Sequence, residues 1–190
     1  MTAATMAGNE GMDVVTIGGF PGSGTSTVCE LLGRRTGWRH LDAGRTFREM
    51  AAESGVSMEA FCRRAESDPG LDRGLDARMI EAVRTRCGGL ILEGRLTGWM
   101  VVRARLPALK VWIFADMKVR AGRVGRRDGQ TVEKAMEEMD RREQSERTRY
   151  RDHHGIDIGD LSIYDLVIDS GSEEAGSVAD RVAERLAGDG

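Results

Sequence analysis

Short apolar runs alternate along this chain with longer stretches of helical period. Residues 13–17 (DVVTI) are apolar and β-branched and stop at Gly18-Gly19, which predicts a buried strand. A helix is expected from about Ser26 to Arg35 and a second strand over Trp38–Leu41. Helical patterns follow at Gly44–Glu53, at Met58–Ser67 behind the cap-like Ser57, and at Leu71–Arg86. Leu90–Leu92 reads as a buried strand, a short helix runs toward Arg105, and Leu109–Phe114 is another strand. Two charged helices, Met117–Arg127 and Val132–His153, are separated by Asp128-Gly129. Tyr164–Ile168 is the last strand and Glu173–Leu186 the closing helix. Such alternation predicts an α/β domain, with a parallel sheet covered by helices on both faces. Residues 1–12 have no hydrophobic period and read as a flexible tail ahead of a single domain over 13–190.

Composition narrows the function. The 190 residues fit one domain, and 40% hydrophobic with 31% charged residues excludes a disordered or fibrous chain. Apolar runs fall far short of the ~18 residues needed to cross a bilayer, so no membrane association is expected. A net charge of −3 argues against general nucleic-acid binding. Of the 28 basic residues only Lys110, Lys118 and Lys134 are lysines. The arginine excess fits either a GC-rich coding sequence or bidentate phosphate recognition. Cys29, Cys62 and Cys87 are odd in number and scattered, as expected of reduced thiols in the cytoplasm.

The sharpest local feature is the run Gly19-Phe20-Pro21-Gly22-Ser23-Gly24-Thr25-Ser26-Thr27, between a predicted strand and a predicted helix. Phosphate binding needs that context, because backbone N–H groups and a helix N-terminus must converge on the anion. The spacing is that of the P-loop, G-x-x-x-x-G-K-[ST], except that Thr25 stands where the lysine belongs. One charge at ~4 Å in an effective dielectric of ~20 is worth roughly 4 kcal/mol before desolvation. Other cations must compensate, or the loop binds weakly and performs no chemistry. The bland alternative is a glycine-rich turn without a ligand. Ser26 keeps the hydroxyl that reaches Mg²⁺ in such loops.

The arginines are candidates for that compensation. Arg120, Arg123 and Arg127 share one helix face, and Arg142, Glu146 and Arg149 share another, so both faces can close over one ligand. Mobile arginines stabilise a phosphoryl group in transfer. Against this stands a solvated face on which Glu137, Glu138, Glu143 and Glu146 pair with them for a few tenths of a kcal/mol each. Arg48, after Asp42-Ala43-Gly44, and Arg95, after the strand end Leu92-Glu93-Gly94, lie where a second phosphate would bind, beyond the carboxyl ends of strands. There Glu93 is a candidate for holding Mg²⁺ through water; a buried structural Arg–Glu pair is the competing reading. His40, His153 and His154 have no metal-ligand partners at useful spacing and read as non-catalytic. Cys29 reads as packing and Asp116 as a helix cap.

The segments GGFPGSGTSTV, LDAGRTFREMA, MEAFCRRAESDPGLDRGLDAR, LILEGRLTGWM and RREQSERTRYRDHHGIDIGDLSIYDLVIDS, in this order from Val14 to Ser170, resemble the archaeal-type cytidylate kinases, a branch of the nucleoside monophosphate kinases. The resemblance implies a P-loop NTPase fold: a five-stranded parallel sheet with flanking helices, a helical monophosphate-binding insertion at about 42–88 and a short lid at about 127–150. It implies transfer of the γ-phosphate of ATP to CMP, and to dCMP, with Mg²⁺, in pyrimidine nucleotide metabolism. Residues Gly19 to Thr27 would wrap the ATP phosphates, and Arg123 and Arg127 would bracket the donor. Arg48 and Arg95 would grip the acceptor phosphate, beside Asp42 and Gly44, and Glu146 would hold a ribose hydroxyl. Arg142 and Arg149, with Arg127, would act on the transferring group, and Ser26 and Glu93 would serve the metal. A monomer with small-molecule partners alone is expected. A kinase for UMP or AMP, or a nucleotide-binding regulatory protein without catalysis, is the alternative.

Overall fold

The computed structural model describes residues 12–188; the expected tail lies outside the described residues except for Met12, which packs against the core. The elements are β1 (Val14–Gly19), α1 (Thr25–Thr36), β2 (Arg39–Asp42), α2 (Ala43–Glu53), α3 (Met58–Ser67), α4 (Pro69–Arg84), β3 (Leu90–Glu93), α5 (Thr97–Arg103), β4 (Leu109–Phe114), α6 (Met117–Asp128), α7 (Val132–His154), β5 (Leu166–Asp169) and α8 (Ala175–Gly188). All five strands are parallel, in the order β2-β3-β1-β4-β5. The earliest strand is therefore central. Connections leave it toward both edges, and the crevice at its carboxyl end is where open α/β sheets bind ligands.

Central strands are apolar on both faces because helices cover both. On one face Val15 and Ile17 pack with Val28, Cys29 and Leu32 of α1 and Val178, Ala179 and Val182 of α8. On the other, Val14, Leu90, Leu92 and Trp112 pack with Met79 and Val83 of α4, Met100 and Val101 of α5 and Tyr150 of α7. The three helices between β2 and β3 carry a small core of their own, built from Met50, Ala51 and Phe61, with Phe47 edge-on to Phe61 at 4.9 Å. Among the described residues no helix is long and apolar enough to cross a membrane.

Helix starts follow their capping residues. The side chains of Asp42, Ser57, Asp68 and Thr131 accept hydrogen bonds from backbone N–H groups of α2, α3, α4 and α7. The cap expected at Ser57 is present. Asp116 occupies the N-cap position of α6 without a side-chain capping bond. Trp38 was expected inside β2 and Tyr164 inside β5, but both rings are used for packing at strand ends. A Cβ on Gly89 would lie 2.1 Å from the Trp38 ring, and Tyr164 lies against Trp112 with ring centroids 5.2 Å apart.

Candidate functional site

β1 runs into the glycine loop, and the chain turns there into α1. Gly22 and Gly24 have φ of 80° and 87°, in the region glycine enters without a steric penalty. A Cβ on Gly22 would also lie 2.6 Å from the carbonyl oxygen of Arg120. The Ser23 hydroxyl donates to the Phe20 carbonyl and tightens the turn. Gly24 offers no side chain to cap α1 and no acidic residue occupies its first turn, so the N–H groups there and the helix dipole face the crevice.

A single cavity of about 1070 Å³ opens at this loop and runs along the insertion helices. Every expected site residue lines it except Ser23, which is fully buried. Arg48 comes from α2, Arg95 from the turn after β3, Arg123 and Arg127 from α6, and Arg142 and Arg149 from α7. Sequence-distant arginines and the glycine loop thus face one volume.

The carboxylate at the end of β3 has three polar contacts. Glu93 Oε1 accepts from the Thr25 hydroxyl at 2.8 Å and the Ser26 hydroxyl at 2.6 Å, and Oε2 lies 3.0 Å from His40 Nε2. Burial alone would push the Glu93 carboxyl up, but the bonds from His40, Ser26 and Thr25 together hold it below its ordinary range. The proton of Ser26 is committed to Glu93, which leaves its oxygen lone pairs free toward the cavity. Two hydroxyls and a carboxylate are the hard oxygen donors that Mg²⁺ takes, so the residues fit that ion. The competing buried Arg–Glu pair does form, though not with Glu93. Arg95 instead reaches Glu146 Oε1 at 2.8 Å, and Arg142 Nε lies 3.0 Å from the same oxygen. Glu146 Oε2 is buried without a hydrogen-bond partner.

Several arginines are tied differently from the sequence expectation. Arg123 donates to the Gly22 carbonyl at 3.2 Å and to the Ser170 carbonyl at 2.6 Å, so it fastens the loop as well as lining the cavity. Arg127 forms a bidentate pair with its neighbour Asp128, on the exposed end of α6. Arg48 lies 3.5 Å from the Asp42 carboxylate, whose other oxygen caps Gly44. Arg120 does not share an open face with Arg123 and Arg127. It is buried, donating to Glu143 at 2.5 Å, to the Ala115 carbonyl at 2.9 Å and to the Pro21 carbonyl at 3.2 Å. Glu143 is therefore an interior counter-charge and not part of a solvated helix face.

The sequence that builds this glycine loop, β3 carboxylate and set of arginines matches the family model of the cytidylate kinase-like family over residues 14–172. The chain belongs to the cytidylate kinase-like family. It is 48% identical to the cytidylate kinase of Pyrococcus furiosus over 161 residues, which cover 85% of this chain and 81% of the relative. It is 44% identical to the cytidylate kinase of Methanococcus vannielii over 158 residues, covering 83% and 90%. Among solved structures, a shikimate kinase from Acinetobacter baumannii superposes with a TM-score of 0.61 at 13% identity, over 94% of each chain. That likeness is one of fold, the P-loop kinase architecture.

Beyond the residues expected from sequence, the cytidylate kinase-like site contains others. His40 and Cys29 lie with Glu93 so that their ligand atoms fall within 4.8 Å of one another, although nothing in their spacing along the chain suggests it. The Cys29 thiol is buried and pushed well above its ordinary pKa by that burial, consistent with the packing role. Parallel pairing of Asp42 opposite Glu93 carries His40 alongside β3, a register the isolated strands do not announce. Arg147 of α7 stacks on the loop residue Phe20 from 5.0 Å, and Arg120 lies 5.4 Å from the same ring. His153 and His154 are buried against Asp72 and Asp76 of α4.

Proposed function

We propose that this protein transfers the γ-phosphate of ATP to CMP, giving CDP and ADP, and that it accepts dCMP as well. The observation that carries the reading is the cavity that the glycine loop shares with Arg48, Arg95, Arg142 and Arg149. Two phosphorylated ligands need two anion-binding ends within one volume from which water can be excluded. In this reading the loop from Gly19 to Thr27 wraps the donor phosphates, with Arg123 and Arg127 on that side. Arg48 and Arg95 hold the acceptor phosphate beside Asp42 and Gly44, and the unpartnered oxygen of Glu146 takes a ribose hydroxyl. Arg142 and Arg149 meet the transferring group. Residues 42–88 form the acceptor-binding insertion and 127–150 the lid.

No side chain has to act as nucleophile, because the acceptor phosphate oxygen is already charged. Alignment and charge neutralisation supply the catalysis. Ser26 and Glu93 would hold Mg²⁺, which supplies charge neutralisation on the donor phosphates. The arginines stand in for the lysine that Thr25 replaces. Release of ADP from Mg·ATP, with CMP, dCMP, UMP and AMP offered separately, tests the proposal. Rapid turnover with CMP supports it. Turnover confined to UMP or AMP would reassign the acceptor, and ATP binding with no turnover on any acceptor would refute the catalytic reading.

A further inference from the structure

The insertion end of the cavity holds two carboxylates that phosphate chemistry does not use. Asp72 and Asp76 stand one turn apart on α4 and both line the cavity. Their environments differ. Asp72 is 4% exposed, and its Oδ2 faces three α7 groups: His153 Nδ1 at 3.0 Å, Arg149 Nε at 3.5 Å and His154 Nε2 at 3.7 Å. Only the His153 contact is a hydrogen bond; the other two are charge contacts that face the same oxygen. The Asp76 side chain is 29% exposed, and His154 Nδ1 lies 3.5 Å from its Oδ2. Burial, with the neighbouring Asp72 charge, pushes its carboxyl above the ordinary range against the pull of His154 and Arg103. Asp76 is thus a half-buried acceptor with unspent capacity, beside apolar walls from Phe47, Leu75 and Met100.

A base lying against those walls presents an edge to Asp76. Cytosine carries an exocyclic amine, a donor, where uracil carries an oxo group, an acceptor. Facing the oxo group, the carboxylate would meet a second acceptor with no proton between them, and a partly desolvated acceptor left without a donor is costly. We infer that Asp76 is a specificity-determining residue, accepting a hydrogen bond from the exocyclic amine of the acceptor base, with His154 as the positioning residue that fixes its orientation. The inference rests on CMP being the acceptor. It also makes α7 a party to base selection, since the histidine that holds Asp76 is on the helix that carries Arg142 and Arg149.

The test crosses enzyme and substrate. The native chain and Asp76→Ala are compared on CMP, on UMP, and on the CMP analogue that lacks the 4-amino group (2-pyrimidinone riboside 5′-monophosphate). A hydrogen bond to a charged group sets the expected native penalty for the analogue at roughly ten- to a hundredfold in kcat/KM. In Asp76→Ala that ratio collapses toward one. Asp76→Asn, which offers an amide donor to the oxo group, shifts preference toward UMP. His154→Phe reduces the CMP preference, and His154→Gln, which retains a donor toward Asp76, restores it. Equal use of CMP and the analogue by the native chain overturns the inference without any variant having to fold. So does an unchanged ratio in Asp76→Ala. Absence of CMP turnover by the native chain would instead overturn the activity itself, and the inference with it.

Discussion

Arg120 and Glu143 form the most consequential ion pair in the molecule, because both side chains are only 7% exposed and the pair joins α6 and α7 beneath the glycine loop. Glu143→Ala removes the counter-charge and leaves the guanidinium with two backbone carbonyls as partners. Breaking such a buried pair costs about 3–5 kcal/mol, a large part of the 5–15 kcal/mol typical of a domain. For a chain of this size each kcal/mol is worth about 2–4 °C, so the melting temperature should fall by roughly 6–20 °C. Replacing both partners by apolar residues of similar volume, Arg120→Met with Glu143→Leu, should recover most of the loss. Urea unfolding followed by tryptophan fluorescence gives all four corners of the cycle, provided the m-values agree. The recovered double variant should still bind ATP more weakly, because Arg120 no longer donates to the Pro21 carbonyl at 3.2 Å. A loss under about 1 kcal/mol for Glu143→Ala would refute the argument, since only a hydrated pair is that cheap.

Three further outcomes are expected. Arg142→Ala, whose side chain is 62% exposed and packs little, should lower kcat far more than it raises the dissociation constant for ATP, measured by stopped-flow turnover and calorimetry; equal losses would leave only ground-state binding. Gly22→Ala should destabilise the chain and abolish ATP binding together, because its Cβ meets the Arg120 backbone and its φ of 80° strains any L side chain; normal ATP affinity would contradict the loop geometry. Burial raises the Asp72 carboxyl, but His154, Arg149 and His153 outweigh it and hold the group below 3.8, so it contributes stability that is present above that value and lost as pH falls through the depressed one. Asp72→Asn should therefore be less stable than the native chain at pH 7, and the two should converge in acid once the depressed carboxyl is protonated; parallel acid-denaturation curves would contradict this.

The elements were readable because their signals are local. The apolar β-branched run before Gly18, the cap at Ser57 and the Asp128-Gly129 break each fix a boundary within a few residues. The glycine loop was readable for the same reason. Pairing among the charges was not. Helical period places Arg120 in line with Arg123 and Arg127, and nothing along the chain says that one of the three is interior and two line a cavity. Which acid meets which arginine depends on how α7 lies across the sheet. That packing sends Glu143 inward to Arg120 and turns Glu146 to Arg95, 51 residues away. The histidines show the same limit. His153 and His154 carry no spacing motif, and their partners Asp72 and Asp76 are supplied by a helix some 80 residues earlier.

The way the glycine loop is fastened bears on the order in which the protein is made. Its turn comes early among the described residues, but its anchors lie far downstream. The Gly22 carbonyl is held by Arg123, 101 residues downstream, and the Ser23 carbonyl by the hydroxyl of Ser170, 147 residues downstream and just beyond β5. Ser170 in turn accepts from Arg123, so the three segments close as one knot. Until the last strand has docked, the loop lacks the clamp from Ser170. Full fastening of the loop and completion of the sheet are thus one late step in chain order.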